Sequence, residues 1–149
     1  LEVNIFHTSS DREVAIARHL QAHGASQVLL PDGVAALDGI DSNRRFVHPK
    51  GILLADVIFV PLEDGDRCQA LRRLGRDVLT VDLNPLSRTA RSSTVTMVDN
   101  VIRALPLLLE QIKRLRSQPA ATWQRIIEDF DNDRVLAQAE GRIRSAEGH

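Results

Sequence analysis

Residues 77–100 read DVLTVDLNPLSRTARSSTVTMVDN, and this stretch decides how the rest of the chain is read. An apolar, β-branched run from Val78 to Val81 passes straight into Asp82-Leu83-Asn84-Pro85-Leu86-Ser87-Arg88-Thr89. A second β-branched run, Thr94 to Val98, passes into Asp99-Asn100. Two such strands are expected to deliver Asp82, Asn84, Arg88, Asp99 and Asn100 to one edge of a sheet. Open parallel sheets bind their ligands just outside the carboxyl ends of the strands. Asn84 precedes proline and is kept out of helical geometry, so the chain leaves the first strand in an extended turn. Asp82 at the strand end can accept from a ribose hydroxyl or an adenine amino group. Arg88 offers a planar fork suited to phosphate or carboxylate, and Ser87 and Thr89 add hydroxyls. The same residues also read as a capped turn closed by an Asp–Arg ion pair. Asp99-Asn100 reads as an N-cap, and the helix it opens presents main-chain N–H groups and a positive dipole end to an anion.

Working outward, further strands are expected at Glu2–Phe6, Gln27–Leu30 and Asp56–Val60, with Asp77–Val81 and Val95–Val98 completing the set. Most are short continuous apolar runs, the pattern of strands buried on both faces. Between the first two lies a helix capped by Ser9 or Ser10. Asp11 and Glu13 stand in its first turn, Val14, Ile16, Ala17 and Leu20 on its apolar stripe, and Gly24 at its end. Residues 35–51 are less regular, and Lys50-Gly51 signals a turn. After Val60 comes the polar turn Pro61-Leu62-Glu63-Asp64-Gly65-Asp66-Arg67. Asp66 can cap a helix over Cys68–Leu74 that Gly75 closes. Asp99 or Asn100 caps a long helix to about Arg116, with Ile102, Leu105, Leu108, Leu109, Ile112 and Leu115 as a broad apolar face. Pro106 falls in its early turns, where a bend is expected. Beyond Pro119 come a helix near Ala120–Trp123 and an amphipathic one over 131–147. These are expected to pack on a neighbour or on a preceding part of the protein. The alternation gives an α/β class: three-layer, Rossmann-like, with a mainly parallel sheet and C-terminal helices. Residues 1–118 read as the Rossmann-like nucleotide-binding domain and 119–149 as a helical extension.

Bulk properties narrow the function. The chain has 149 residues, enough for one domain, and a formal net charge of -1, which leaves no basic footprint for nucleic acid. Tyr is absent and aromatics are scarce, so base-stacking platforms are not expected. Cys68 is the single cysteine, which rules out an intrachain disulfide and fits a reducing cytoplasm. No apolar run reaches membrane-spanning length. There is no GxxxxGK[ST] and no GxGxxG after a strand, and the histidines do not cluster as metal ligands. Glu63, Asp64 and Asp66 could hold Mg²⁺ through water, or form a solvated acidic loop. Arg44 and Arg45, within Ser42-Asn43-Arg44-Arg45, could bind phosphate, pair with a partner subunit or be plain surface. Residue 1 is Leu, already inside an expected strand, so upstream sequence is expected to be missing.

Taken together, Ala55–Arg67, Asp82–Thr89 and Val98-Asp99-Asn100-Val101-Ile102-Arg103-Ala104-Leu105-Pro106 resemble the archaeal 4-phosphopantoate–β-alanine ligase (phosphopantothenate synthetase) family. Leu1–Phe6 and Ser42–Arg45 fit its pattern as well. The resemblance runs to about Leu115. It implies an ATP- and Mg²⁺-dependent ligase of coenzyme A biosynthesis. The carboxylate of 4-phosphopantoate attacks the α-phosphate of ATP, and the amine of β-alanine then displaces AMP to give 4′-phosphopantothenate. It further implies a cytoplasmic homodimer. ATP is expected at Asp82, Leu83, Asn84, Arg88, Thr89, Asn100 and Val101, with Arg88 as the catalytic group. Asn43, Arg44 and Arg45 become candidates for the substrate phosphate, and Glu63, Asp64 and Asp66 for metal or the β-alanine amine. The family's remaining ATP contacts are arginines that would precede Leu1. Two rival readings stand beside this one. A non-catalytic nucleotide-binding module or inactive fragment is the first. A nicotinamide-dependent oxidoreductase is the second, disfavoured by the missing GxGxxG.

Overall fold

In a computed structural model, which describes residues 1–7, 9–61 and 65–145, the chain runs through α1 (Ser10–Ala22), β1 (Val57–Pro61), α2 (Gly65–Arg73), β2 (Asp77–Val81), α3 (Arg88–Ser92) and β3 (Val95–Met97). Helices α4 (Val101–Leu115), α5 (Ala120–Asp129) and α6 (Asn132–Ser145) follow. The strands form a parallel sheet in the order β1-β2-β3. Leu79 stands opposite Val95 and Val81 opposite Met97. Parallel neighbours cannot be joined by a hairpin, so α2 and α3 serve as the crossovers. This is the α/β, Rossmann-like class expected from the alternating pattern.

The two N-terminal strands are a correction. Glu2–Phe6 and Gln27–Leu30 are reduced to one parallel bridge between Glu2 and Leu29. Val3 N–H donates to the Leu29 carbonyl at 2.9 Å, and Leu29 N–H donates to the Leu1 carbonyl at 2.8 Å. Pairing stops there because Pro31, where the next donor would stand, has no N–H. The Asn4 side-chain amide donates to the carbonyls of Arg44 (3.1 Å) and Phe46 (2.8 Å).

Several helix ends follow the sequence signals, but α2 begins at Gly65, ahead of the expected Cys68, so Asp66 stands within its first turn rather than at its cap. Ser9 caps α1 by accepting from Arg12 N–H, and Asn100 caps α4 by accepting from Ile102 N–H at 2.9 Å. After α2, Gly75 N–H bonds the Arg72 carbonyl and Arg76 N–H the Leu71 carbonyl. That crossed pair satisfies carbonyls a helix end would otherwise leave open. Helix α4 continues through Pro106. Its inner side is Val101, Ala104, Leu108 and Leu115, whereas Ile102, Leu105, Leu109 and Ile112 are exposed among the described residues. The apolar face expected as one broad stripe is thus split between the two sides.

Two compact units divide the chain: Leu1–Ile58 with Ala70–Arg76, and Phe59–Gln69 with the residues from Asp77 on. In the first, Val3, Ala17, Leu37, Ile40, Val47 and Leu71 are buried. The Glu2 carboxylate accepts from His48 N–H at 2.8 Å and Ile52 N–H at 2.7 Å, pinning the turn around Lys50-Gly51. In the second, Val78, Val81, Ala90 and Ala104 share the interior with Thr80, Thr89, Ser93 and Thr96. Buried hydroxyls must be hydrogen-bonded. Thr80 donates to the Val60 carbonyl at 2.8 Å, Thr96 to Ala90 at 2.9 Å and Ser93 to Thr89 at 2.9 Å. Cys68 lies among them, fully buried, its Sγ 3.3 Å from Ser93 Oγ.

Candidate functional site

The parallel register of β2 and β3 sends both carboxyl ends to one sheet edge, and Asp82 N–H bonds the Met97 carbonyl at 3.0 Å across them. Asp82, Leu83, Asn84, Arg88, Thr89, Asn100 and Val101 therefore all lie on the segments that leave this edge. The loop after β2 is built from its own side chains. The Asp82 carboxylate accepts from Asn84 N–H at 2.9 Å and from the Ser87 hydroxyl at 2.5 Å. Asn84 Oδ1 accepts from Leu86 N–H, and Ser87 Oγ caps α3 by accepting from Ala90 N–H at 2.9 Å. Such self-bonding loops are the habit of Asp, Asn and Ser. Pro85 and Thr89 are buried beneath, while Leu83 and Arg88 face out.

The ion pair allowed for between Asp82 and Arg88 is not the one that forms. Arg88 instead donates to Asp66 Oδ1 at 2.5 Å, across from the start of α2. Both side chains are about two-thirds exposed or more, at 66% and 73%. The arrangement needs Gly65. A Cβ there would sit 2.5 Å from Arg88 Cβ, 3.2 Å from its Nε and 3.4 Å from Thr89 N. The glycine read as a turn signal is therefore a point of close approach between α2 and the Arg88-Thr89 corner.

At the other strand end, Asp99 accepts from Asn100 N–H at 2.6 Å and from Arg103 Nε at 2.8 Å. The Arg103 guanidinium, then the Asn100 N–H, hold the Asp99 carboxyl below the ordinary carboxylate value. The i, i+4 spacing of Asp99 and Arg103 is the local signal for this pair. Asn132 was not legible at all. It lies in the C-terminal helices, yet its side chain bonds the main chain at Ala90, Ser93 and Thr96.

The remaining candidates divide. Glu63 and Asp64 lie outside the described residues. In the first unit, Asn43 lines a pocket of about 240 Å³ together with Asn4, Ser9, Ser10, Glu13 and Phe46. The Arg44 guanidinium lies 5.6 Å from the centre of the Phe6 ring and that of Arg45 4.7 Å from Phe46. Both adjacent cations thus have an aromatic face to rest on. Among the described residues, no three His, Cys, Asp or Glu side chains gather where they could share a metal ion.

Comparison with known proteins adds the family. A sequence model described as phosphopantothenate/pantothenate synthetase matches residues 1–146. The chain is 41% identical over 143 residues to the 4-phosphopantoate–β-alanine ligase of Methanosarcina mazei, covering 96% of this chain and 56% of that protein. It is 42% identical over 137 residues to the ligase of the same name from Thermococcus onnurineus, covering 91% and 52%. It is 38% identical over 145 residues to that of Thermococcus kodakarensis, covering 97% and 56%. The chain spans about half the length of these curated relatives. A match across nearly every residue, on a sheet whose two strand ends carry the expected polar segments, places this chain in the phosphopantothenate/pantothenate synthetase family.

Proposed function

We propose that this chain forms the nucleotide-holding part of an ATP-dependent ligase that joins 4-phosphopantoate and β-alanine in coenzyme A biosynthesis. The observation that carries this reading is the shared edge of β2 and β3, with Arg88 and the start of α4 both leaving it. The carboxylate of 4-phosphopantoate attacks the α-phosphorus of ATP. Pyrophosphate leaves and a phosphopantoyl-adenylate forms. The β-alanine nitrogen then attacks the acyl carbon, AMP leaves, and the nitrogen loses a proton as the amide of 4′-phosphopantothenate is made. The chain's own part is binding and orientation. Arg88, the proposed catalytic group, opposes the phosphate charge, and the first turn of α4 offers main-chain N–H groups behind Asn100 and Val101. Asp82, Leu83, Asn84 and Thr89 shape the nucleoside side. Asn43, Arg44 and Arg45 remain proposed for the substrate phosphate, and Glu63, Asp64 and Asp66 for metal or the β-alanine amine. Asp66, with Glu63 and Asp64, would hold Mg²⁺ through water, and the ion would offset the negative charge of the reacting phosphates.

A cytoplasmic homodimer belongs to the same proposal. Ile102, Leu105, Leu109 and Ile112 are exposed at the 3-4-3 spacing of a coiled-coil seam. No helix among the described residues is long and apolar enough to cross a membrane. The test is AMP release from ATP, 4-phosphopantoate and β-alanine by the intact protein. Arg88→Ala is expected to lower it by roughly 10²-fold or more. Wild-type turnover in that variant removes Arg88 from the site. Calorimetric binding of ATP without AMP release, with both other substrates present, favours the rival reading of a non-catalytic nucleotide-binding module.

A further inference from the structure

We propose that Asn132, at the first turn of α6, is a positioning residue for the nucleotide edge; this rests on the ATP reading above. Its carboxamide makes three bonds to main chain 36 to 42 residues away. Oδ1 accepts from Thr96 N–H at 2.8 Å, and Nδ2 donates to the Ala90 carbonyl at 3.1 Å and the Ser93 carbonyl at 3.3 Å. The Ala90 carbonyl already takes the Thr96 hydroxyl, and Asn132 adds a second donor to it while meeting the outward Thr96 N–H and the Ser93 carbonyl. β3 is the last strand of the described sheet, so its outward N–H groups have no neighbouring strand. Ala90 and Ser93 belong to the end of α3, where helical carbonyls lose their partners. One amide therefore closes both gaps at once.

The segment it closes, 90–96, lies between the two arms of the candidate site. Arg88 and Thr89 stand at its start, and Asp99 and Asn100 follow just beyond its end. The Thr96 hydroxyl already bonds the Ala90 carbonyl at 2.9 Å, so Asn132 adds the outer half of a two-sided clamp. Helix α6 is held in place independently of this amide. Leu136, one turn on, is buried, and Asp131 caps the helix by accepting from Arg134 N–H. A group that ties strand edge to helix end fixes how far Arg88 stands from the start of α4, and in-line phosphoryl chemistry is sensitive to such spacing.

Three variants of the intact protein test this. Asn132→Asp keeps an acceptor for Thr96 N–H and remains a good residue for a helix start, but it faces two carbonyls with no donor. Asn132→Ala loses all three bonds. Leu136→Ala removes packing from the same helix and leaves the amide intact. Both Asn132 variants are expected to weaken ATP, read as Kd by calorimetry and as KM, by roughly 10- to 100-fold. The α6 helicity should be retained in Asn132→Asp. Hydrogen exchange over residues 90–98 should quicken in both without ATP present. Leu136→Ala should lower the melting temperature while changing the ATP Kd less than about twofold. Unchanged ATP affinity in both Asn132 variants, beside a wild type that binds ATP, overturns the positioning role and leaves the ATP reading standing. Equal losses in Leu136→Ala overturn it too, since packing alone would then suffice. A wild type that binds no ATP overturns the ATP reading and this inference with it.

Discussion

Gly65→Ala should destabilise this protein although it replaces a helix-weakening residue with the strongest helix former. The added Cβ would lie 2.5 Å from Arg88 Cβ. That atom is fixed to the backbone of α3 and cannot swing aside as the end of a long side chain could. Relief therefore needs α2 or the Arg88-Thr89 corner to move. Forcing a methyl into a packed contact costs about 1–3 kcal/mol. Helix propensity returns at most about 0.5–1 kcal/mol. The net loss is centred near about 1 kcal/mol, which corresponds to roughly 2–4 °C in melting temperature for a chain of this size. Gly141 is the internal reference. It lies within α6, and a Cβ there would meet nothing within 4 Å. Gly141→Ala should gain about 0.5–1 kcal/mol through the same propensity. Urea and thermal unfolding of the two variants beside the parent chain measure both signs. If Gly65→Ala is as stable as the parent or gains as much as Gly141→Ala, the close approach of α2 to Arg88 is wrong. The Asp66–Arg88 pair built on it would then fall as well.

Other outcomes follow from the same geometry. Asn100→Ala removes the side-chain cap of α4 and should cost about 0.5–2 kcal/mol in urea unfolding, whereas Asn100→Asp should keep most of it. Asp99 is held below the ordinary carboxylate value by Arg103 and the Asn100 N–H. Its contribution is therefore present above the unfolded carboxyl value of about 3.9 and is lost as pH falls through the lower folded value. The stability gap between the parent and Asp99→Asn should be flat from pH 5 to 7 and close below about pH 4. Salt should narrow it as well, because the pair is exposed. A gap that widened on acidification would contradict the assignment.

Much of the candidate site was legible because it is written locally. Asn84-Pro85 forces an extended exit from a strand, Ser87 and Asn100 carry N-cap chemistry, and each residue's partner lies within five positions. The two N-terminal strands are cut short for a reason that shows only once they pair. Their apolar runs are real, but Pro31, without an N–H, falls where the bond after the Glu2–Leu29 bridge would form. The ion pair likewise departs from the local pattern: Asp82 is nearer in sequence, but its oxygens are taken by Asn84 N–H and the Ser87 hydroxyl, leaving Arg88 to Asp66.

What the sequence by itself determined is therefore the α/β alternation, the helix caps and stops, and the two polar segments that follow adjacent strands. These depend on bonds between near neighbours and on hydrophobic period, both of which a single chain displays. Only the tertiary structure decided which residues steady those segments. Gly65 is needed because another helix comes within contact distance, and Asn132 because an edge strand and a helix end both lack partners beside it. Neither condition exists until the elements are packed.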